Sequence, residues 1–295
     1  MGEGGYQQVN KSLNAYAFDD YLTAQQSNLP HLESVKFLSP RNPGKVRISV
    51  TFTLQGTNTY IVGTGAERLI IDTAQGFRAW TDLVCTSLDS ISACLSMVLL
   101  THWHGDHTGG VPDLIKLYPK LTPSIYKNSP EFDQQSISDG QIFRVEGATI
   151  RAIYSPGHSQ DHMCFVLEEE NAMFTGDNVL GHGTTAIEDL GLYMDTLGNM
   201  RSHACAIGYP AHGDVITDLP LKIDRELGIK QRREALCLRA LMAIKSEGQH
   251  GSAVRGVTIG DLVIAMYGNN TNEGTRNAVL IPFVREILMK LAKQD

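Results

Sequence analysis

The run Thr101-His102-Trp103-His104-Gly105-Asp106-His107 places three imidazoles and a carboxylate within six residues. Neutral imidazole and carboxylate bind borderline divalent cations such as zinc. One histidine alone is more often structural than a ligand, but four donors this close together call for a metal. The run follows the apolar stretch Met97-Val98-Leu99-Leu100, which reads as a buried strand. Its donors therefore fall on the loop at the strand's end, where α/β sheets carry their chemistry. Three later segments repeat the arrangement. Ser155-Pro156-Gly157-His158 puts His158 in a tight turn after a strand, Phe174-Thr175-Gly176-Asp177 puts Asp177 at a strand end, and Pro210-Ala211-His212-Gly213 does the same for His212.

The elements that must position these donors are readable from periodicity and punctuation. Strands are expected over Arg47–Leu54, Tyr60–Val62, Arg68–Ile71, Met97–Thr101 and Ser124–Lys127, with helices over Arg78–Leu88 and Gly109–Tyr118. A second β group covers Gln141–Val145, Thr149–Tyr154, Met163–Leu167, Ala172–Thr175 and Ala204–Tyr209. Helical spacing then takes over at Leu221–Glu247, Thr258–Tyr267 and Arg276–Lys293. The expected division is an arm over residues 1–30, a catalytic domain over 31–220 and a helical appendage over 221–295. Two β-rich halves that each end in helix suggest an αββα sandwich.

Bulk properties narrow the class. A hydrophobic content of 42% supports a packed core and argues against general disorder. The net charge of −7 provides no overall basic field for nucleic acid. The five cysteines, Cys85, Cys94, Cys164, Cys205 and Cys237, are scattered and never in C-x-x-C spacing. They read as reduced thiols of a cytoplasmic protein. The first residues lack the basic and apolar regions of a signal peptide, and no segment approaches the ~20 apolar residues of a membrane span.

Taken in order, T-H-W-H-G-D-H, P-G-H, T-G-D and A-H-G resemble the metallo-β-lactamase superfamily over residues 46 to 215. The resemblance implies an αββα fold with two metals in a shallow groove, zinc with manganese as the alternative. It implies that His102, His104 and His158 hold the first metal and that Asp106, His107 and His212 hold the second. It implies that Asp177 bridges both and that Asp72, in Leu69-Ile-Ile-Asp-Thr, orients a ligand from behind. Asp106 would also accept and return a proton during the reaction. Trp103, between two ligands, is expected only to pack the loop.

Within the superfamily, Gln55-Gly-Thr-Asn-Thr-Tyr-Ile-Val-Gly and Asp177-Asn-Val-Leu-Gly-His-Gly-Thr-Thr resemble the lactamase-β-like branch. They are closer still to the fungal atrochrysone carboxyl ACP thioesterases. That resemblance extends into the C-terminal helices, which look like a small winged-helix-like appendage. It implies hydrolysis of an aromatic polyketide from the acyl carrier protein of a non-reducing polyketide synthase. A single-strand endoribonuclease and a glutathione-thioester hydrolase are the alternatives. The uncharged loops Gln55–Thr59 and Gly181–Thr185 suit an aromatic substrate better than a phosphate backbone. His182, Thr184 and Tyr193 are the candidate substrate contacts, with a plain loop histidine the alternative for His182 and core packing the alternative for Tyr193. Lys230-Gln231-Arg232-Arg233 is the candidate contact for an acidic carrier protein, with a solvated helix face as the alternative; Lys230, Arg232, Arg233 and Arg239 are the patch an RNA reading would need, and the C-terminal helices offer a homodimer surface. His162, after Asp161, reads as the first residue of a strand, with support of a ligand from behind as the alternative.

Overall fold

The computed structural model describes residues 35–37, 46–50, 56–131, 133–248 and 256–293. The expected arm over residues 1–30 lies outside the described residues, as does the expected strand beyond residue 50. The chain falls into two compact units. One comprises His31–Glu188 and Leu192–Asp224, and the other includes Asp189–Gly191 and Arg225–Asp295.

The first unit contains two sheets. In one, β1 (Val35–Phe37), β2 (Val46–Val50), β3 (Thr57–Val62), β4 (Glu67–Ile71), β5 (Cys94–Leu99), β6 (Ile125–Lys127) and β7 (Gln135–Ser136) lie side by side in chain order. The strands pair antiparallel as far as β4 and parallel from β4 to β7. Parallel neighbours need crossovers. These are α1 (Arg78–Ser90) before β5, and the turn α2 (Gly105–Thr108) with α3 (Val111–Leu117) before β6. The second sheet comprises β8 (Ile142–Val145), β9 (Ala148–Tyr154), β10 (Met163–Leu167), β11 (Ala172–Gly176) and β12 (Ile207–Pro210), in the order β12-β11-β10-β9-β8. Only β11 and β12 are parallel, and α4 (Leu190–Ser202) makes their crossover.

Alternation along the strands builds two cores. Tyr60, Val62, Leu69 and Ile71 face the space between the sheets, where they meet Phe143, Ile150, Phe165 and Phe174. Ile61, Ile70 and Val98 emerge on the other face beneath Trp80, Val84 and Leu88 of α1 and Leu114 of α3. With both faces covered, Leu69-Ile70-Ile71 can be apolar without alternating. On the far side of the second sheet, Cys164 Sγ lies 4.0 Å from Met200 Sδ of α4. The layers therefore run helix, sheet, sheet, helix.

Some boundaries differ from expectation for local reasons. The strand expected from Ala204 begins at Ile207, because Ala204 sits at φ 53°, outside extended backbone. The helix α4 is additional; Leu190, Tyr193, Leu197 and Met200 are its buried face. In the second unit, α5 (Leu219–Gly248) starts within the first unit and continues into the appendage, followed by α6 (Ile259–Tyr267) and α7 (Ile281–Ala292). Thr258 and Asp261 close a reciprocal capping box on α6. The helix expected over Arg276–Lys293 opens with a π-helical segment, Arg276–Leu280, before α7. Pro282 lacks an N–H, so the regular i to i−4 ladder cannot pass through it. Among the described residues no helix is long and apolar enough to cross a membrane.

Candidate metal centre

The four ligand-bearing segments converge at one edge of the sandwich in the first unit. His102 follows β5, His104 and Asp106 enter the turn α2, and His107 lies inside it. His158 occupies the turn between β9 and β10, Asp177 follows β11, and His212 follows β12. Gly157 makes the tight turn feasible. Its φ is 132°, and a Cβ there would fall 2.4 Å from the Tyr193 Cα.

Two groups result, His102, His104, His158 and Asp177 in one and Asp106, His107 and His212 in the other. Within each group, one potential ligand atom per residue lies within 4.8 Å of every other. In the first group, His102 Nε2 is 2.8 Å from His104 Nδ1, and His158 Nε2 is 3.2 Å and 3.0 Å from these two atoms. In the second, Asp106 Oδ2 lies 3.4 Å from His107 Nε2 and 3.3 Å from His212 Nε2. Asp177 reaches both groups. Its Oδ2 is 3.5 Å from His158 Nε2, and its Oδ1 is 3.5 Å from His107 Nε2 and 3.2 Å from His212 Nε2.

Four of the nitrogens that face away from the centre, Nδ1 of His102, His107, His158 and His212, are held. His107 Nδ1 is 2.9 Å from Asp72 Oδ2. Thr101 Oγ1 donates to Asp72, which leaves the hydroxyl's lone pairs for His102 Nδ1–H at 3.0 Å. His158 Nδ1 faces the Ala186 carbonyl at 2.8 Å and Thr185 Oγ1 at 2.9 Å. His212 Nδ1 faces the Gly56 carbonyl at 3.2 Å. Such partners turn the Nε2 lone pairs inward, as ligating histidines require. Asn58 braces the His212 loop by donating from Nδ2 to the Pro210 and Gly213 carbonyls, both at 2.9 Å.

The polar atoms left over fit a cation. His107 Nε2, His212 Nε2 and Asp177 Oδ1 are buried without a hydrogen-bond partner, all on the inner side. Buried polar atoms normally find a partner, and in the first group three imidazole nitrogens converge with no other polar group between them. The all-nitrogen and oxygen donor set suits divalent metals.

Protonation differs between the groups. Burial, reinforced by His107 and His158, holds His102 well below the ordinary histidine range, and burial takes His104 down to about 3. Burial also lowers His158, outweighing the attraction of Asp177. Burial pulls His107 and His212 down as well, but carboxylates overcome it. Asp106, Asp177 and Asp72 raise His107 well above its usual value, and Asp177 and Asp106 raise His212 to about 10. Burial opposes ionisation of Asp106 and Asp177, yet His107 and His212 hold both carboxyls well below the usual range.

The other expected contacts divide. His182 is half-buried over Gly213, with both ring nitrogens buried and without a hydrogen-bond partner, while Thr184 is exposed. Tyr193 is 1% exposed and its hydroxyl donates to the Asn178 carbonyl at 2.8 Å, the core-packed arrangement expected as its alternative, behind the ligand loops. The basic patch is corrected. Lys230 is fully buried 5.5 Å from the Phe283 ring centre, and Arg233 stacks over the same ring at 4.4 Å. Only Arg232 and Arg239 of that set are exposed. Trp103 packs edge-on to His104 at 4.5 Å. Thr101, Thr185 and Asn178 were not singled out, although each lies within or beside a ligand motif.

Fold and ligand geometry together define a class. The Metallo-beta-lactamase superfamily profile matches residues 52–212, and the chain belongs to that superfamily. The atrochrysone carboxyl ACP thioesterase AacuM of Aspergillus aculeatus is 61% identical over 300 residues, covering 99% of this chain and 94% of the relative. The atrochrysone carboxyl ACP thioesterase AgnL7 of Paecilomyces divaricatus is 58% identical, covering 99% and 93%. A metallo-beta-lactamase family protein of Thermus thermophilus shares the fold, with a TM-score of 0.60 at 18% identity over 85% of this chain and 94% of that one.

Proposed function

We propose that this chain is a metal-dependent thioesterase that releases an atrochrysone carboxyl polyketide from an acyl carrier protein. The observation that carries the reading is the pair of ligand groups sharing Asp177, in a chain similar along nearly its whole length to thioesterases of that name. His102, His104, His158 and Asp177 would hold one cation, and Asp106, His107, His212 and Asp177 the other. We take the metal as zinc, with manganese the alternative.

When bound, two such cations supply Lewis acidity, lowering the pKa of water and polarising a carbonyl oxygen. The protein supplies the rest. Asp72 and Thr101 fix the His107 and His102 rings from behind. Asp106 has the most accessible carboxylate of the cluster, with its side chain 24% exposed. It accepts the proton of the attacking water and returns it to the departing thiolate as the C–S bond breaks, giving a carboxylic acid and the free carrier thiol. A thioester needs less activation than an amide because its thiolate leaves readily. On the loop after Leu180, His182 and Thr184 are the substrate contacts of this reading.

The carrier protein is the expected partner and the cytoplasm the expected compartment, in keeping with five free cysteines. A homodimer through the C-terminal helices is part of this reading, supported by exposed Leu238 and Met242 on α5 and measurable by sedimentation. The test of the activity is hydrolysis of an aryl thioester by metal-loaded protein. Chelator, His104→Ala and Asp106→Ala should each abolish it; activity that survives all three contradicts the reading.

A further inference from the structure

His162 belongs to neither ligand group, yet three ligand loops meet on it. Its side chain is fully buried. Its carbonyl accepts the Ser155 N–H at 2.9 Å, at the base of the turn that presents His158. The adjoining Met163 N–H donates to the Thr101 carbonyl at 2.8 Å, one residue before His102. Its own Nε2 accepts the backbone N–H of Asp177 at 3.0 Å. Its Nδ1, which carries the ring proton while Nε2 accepts, lies 3.0 Å from Asn178 Nδ2, and that amide donates to the Ser155 carbonyl at 2.7 Å. The ring centre is 5.1 Å from that of His102 and 5.9 Å from that of His158.

A buried backbone N–H must find an acceptor, and at Asp177 an imidazole nitrogen provides it. The fit is close. Gly176 has φ 50°, and a Cβ there would fall 2.5 Å from His162 Nε2. Only glycine lets the backbone turn this near to the ring. The residue so fixed is the one whose two oxygens face different ligand groups, so a small rotation of its backbone would withdraw it from one of them.

We infer that His162 is a positioning residue, whose Nε2 anchors the Asp177 backbone and thereby aims that carboxylate at both ligand groups. The inference rests on the reading of Asp177 as a shared metal ligand. Its sequence neighbours alone do not distinguish it from a strand residue; the contact to Asp177 does.

The test uses the full-length protein carrying His162→Phe, His162→Gln or His162→Asn. Zinc affinity is measured by chelator competition, the cobalt-substituted site by its visible spectrum, and folding by melting temperature. Phenylalanine keeps the ring volume and removes the acceptor. It should weaken zinc binding about tenfold to a hundredfold and alter the cobalt spectrum. The glutamine carbonyl reaches the Nε2 position and should preserve both near wild type. Asparagine ends at the Nδ1 position and should behave as phenylalanine does. If the phenylalanine variant fails to fold, the glutamine and asparagine variants decide the matter. Zinc affinity and spectrum unchanged in folded His162→Phe, or Gln no better than Asn, would overturn the inference. Wild-type protein unable to bind two metals would instead overturn the di-metal reading beneath it.

Discussion

Replacing Asp72 by asparagine should loosen the second metal position while sparing the fold. Asp72 is buried at φ 58°, a left-handed conformation that asparagine also tolerates. Its Oδ1 accepts the Thr101 N–H at 2.8 Å, and its Oδ2 lies 2.9 Å from His107 Nδ1. In Asp72→Asn, one side-chain atom still serves Thr101, but an NH2 group then faces His107 Nδ1. A metal on Nε2, the atom that points toward Asp106 and Asp177, leaves the ring's one proton on Nδ1, where it would meet the amide N–H instead of a carboxylate. The metal-bound variant therefore lacks the hydrogen bond from Nδ1–H to the charged Asp72 carboxylate that the wild type keeps. That loss is about 1.5–3 kcal/mol, and about 1.4 kcal/mol is a factor of ten. The second metal should therefore bind about tenfold to a hundredfold more weakly, with the first less affected. Stepwise zinc titration against a chelating indicator, with melting temperature as control, measures this. A folded variant that takes up both metals with wild-type affinity would refute the tautomer argument.

The remaining predictions concern pH, bracing and backbone. His212 binds its proton more tightly folded than unfolded, with its pKa raised to about 10 from 6.5. Its contribution to metal-free stability is therefore full below pH 6.5 and fades as pH rises to about 10, as melting against pH would show. A metal bound at Asp106, His107 and His212 should displace protons, whereas neutral His102, His104 and His158 have none to lose near neutral pH; calorimetry in buffers of different ionisation heat should find proton release confined to one binding step, and equal release in both contradicts this. Asn58→Ala removes two buried donors and should cost about 2–4 kcal/mol in denaturant unfolding, with the His212 position weakened. Gly157→Ala forces a Cβ against Tyr193 backbone and should cost about 1–3 kcal/mol by the same measurement.

The ligand positions were legible because each donor follows a short apolar strand, so strand periodicity and loop chemistry pointed to the same places. The layers were legible for a related reason: alternation in β9 and the continuous apolar run in β4 distinguish a half-covered strand from a fully covered one. Long-range pairing was not. Nothing local tells Tyr193 that its hydroxyl will meet the Asn178 carbonyl, or tells Lys230 that Phe283 will cover it. The role of Thr185 was missed by one residue, because the choice between Thr184 and Thr185 depends on which way the loop turns toward His158. His162 likewise looks like a strand residue until β11 ends beside it and turns its Asp177 N–H onto the ring.

The central claim is that the two ligand groups hold metals that serve thioester hydrolysis. Metal-loaded protein should be incubated with a carrier-bound aromatic polyketide and, in parallel, with single-stranded RNA, each with and without chelator. Release of the polyketide acid that chelator abolishes, with the RNA intact, is the predicted result. RNA cleavage with the thioester untouched would contradict the account.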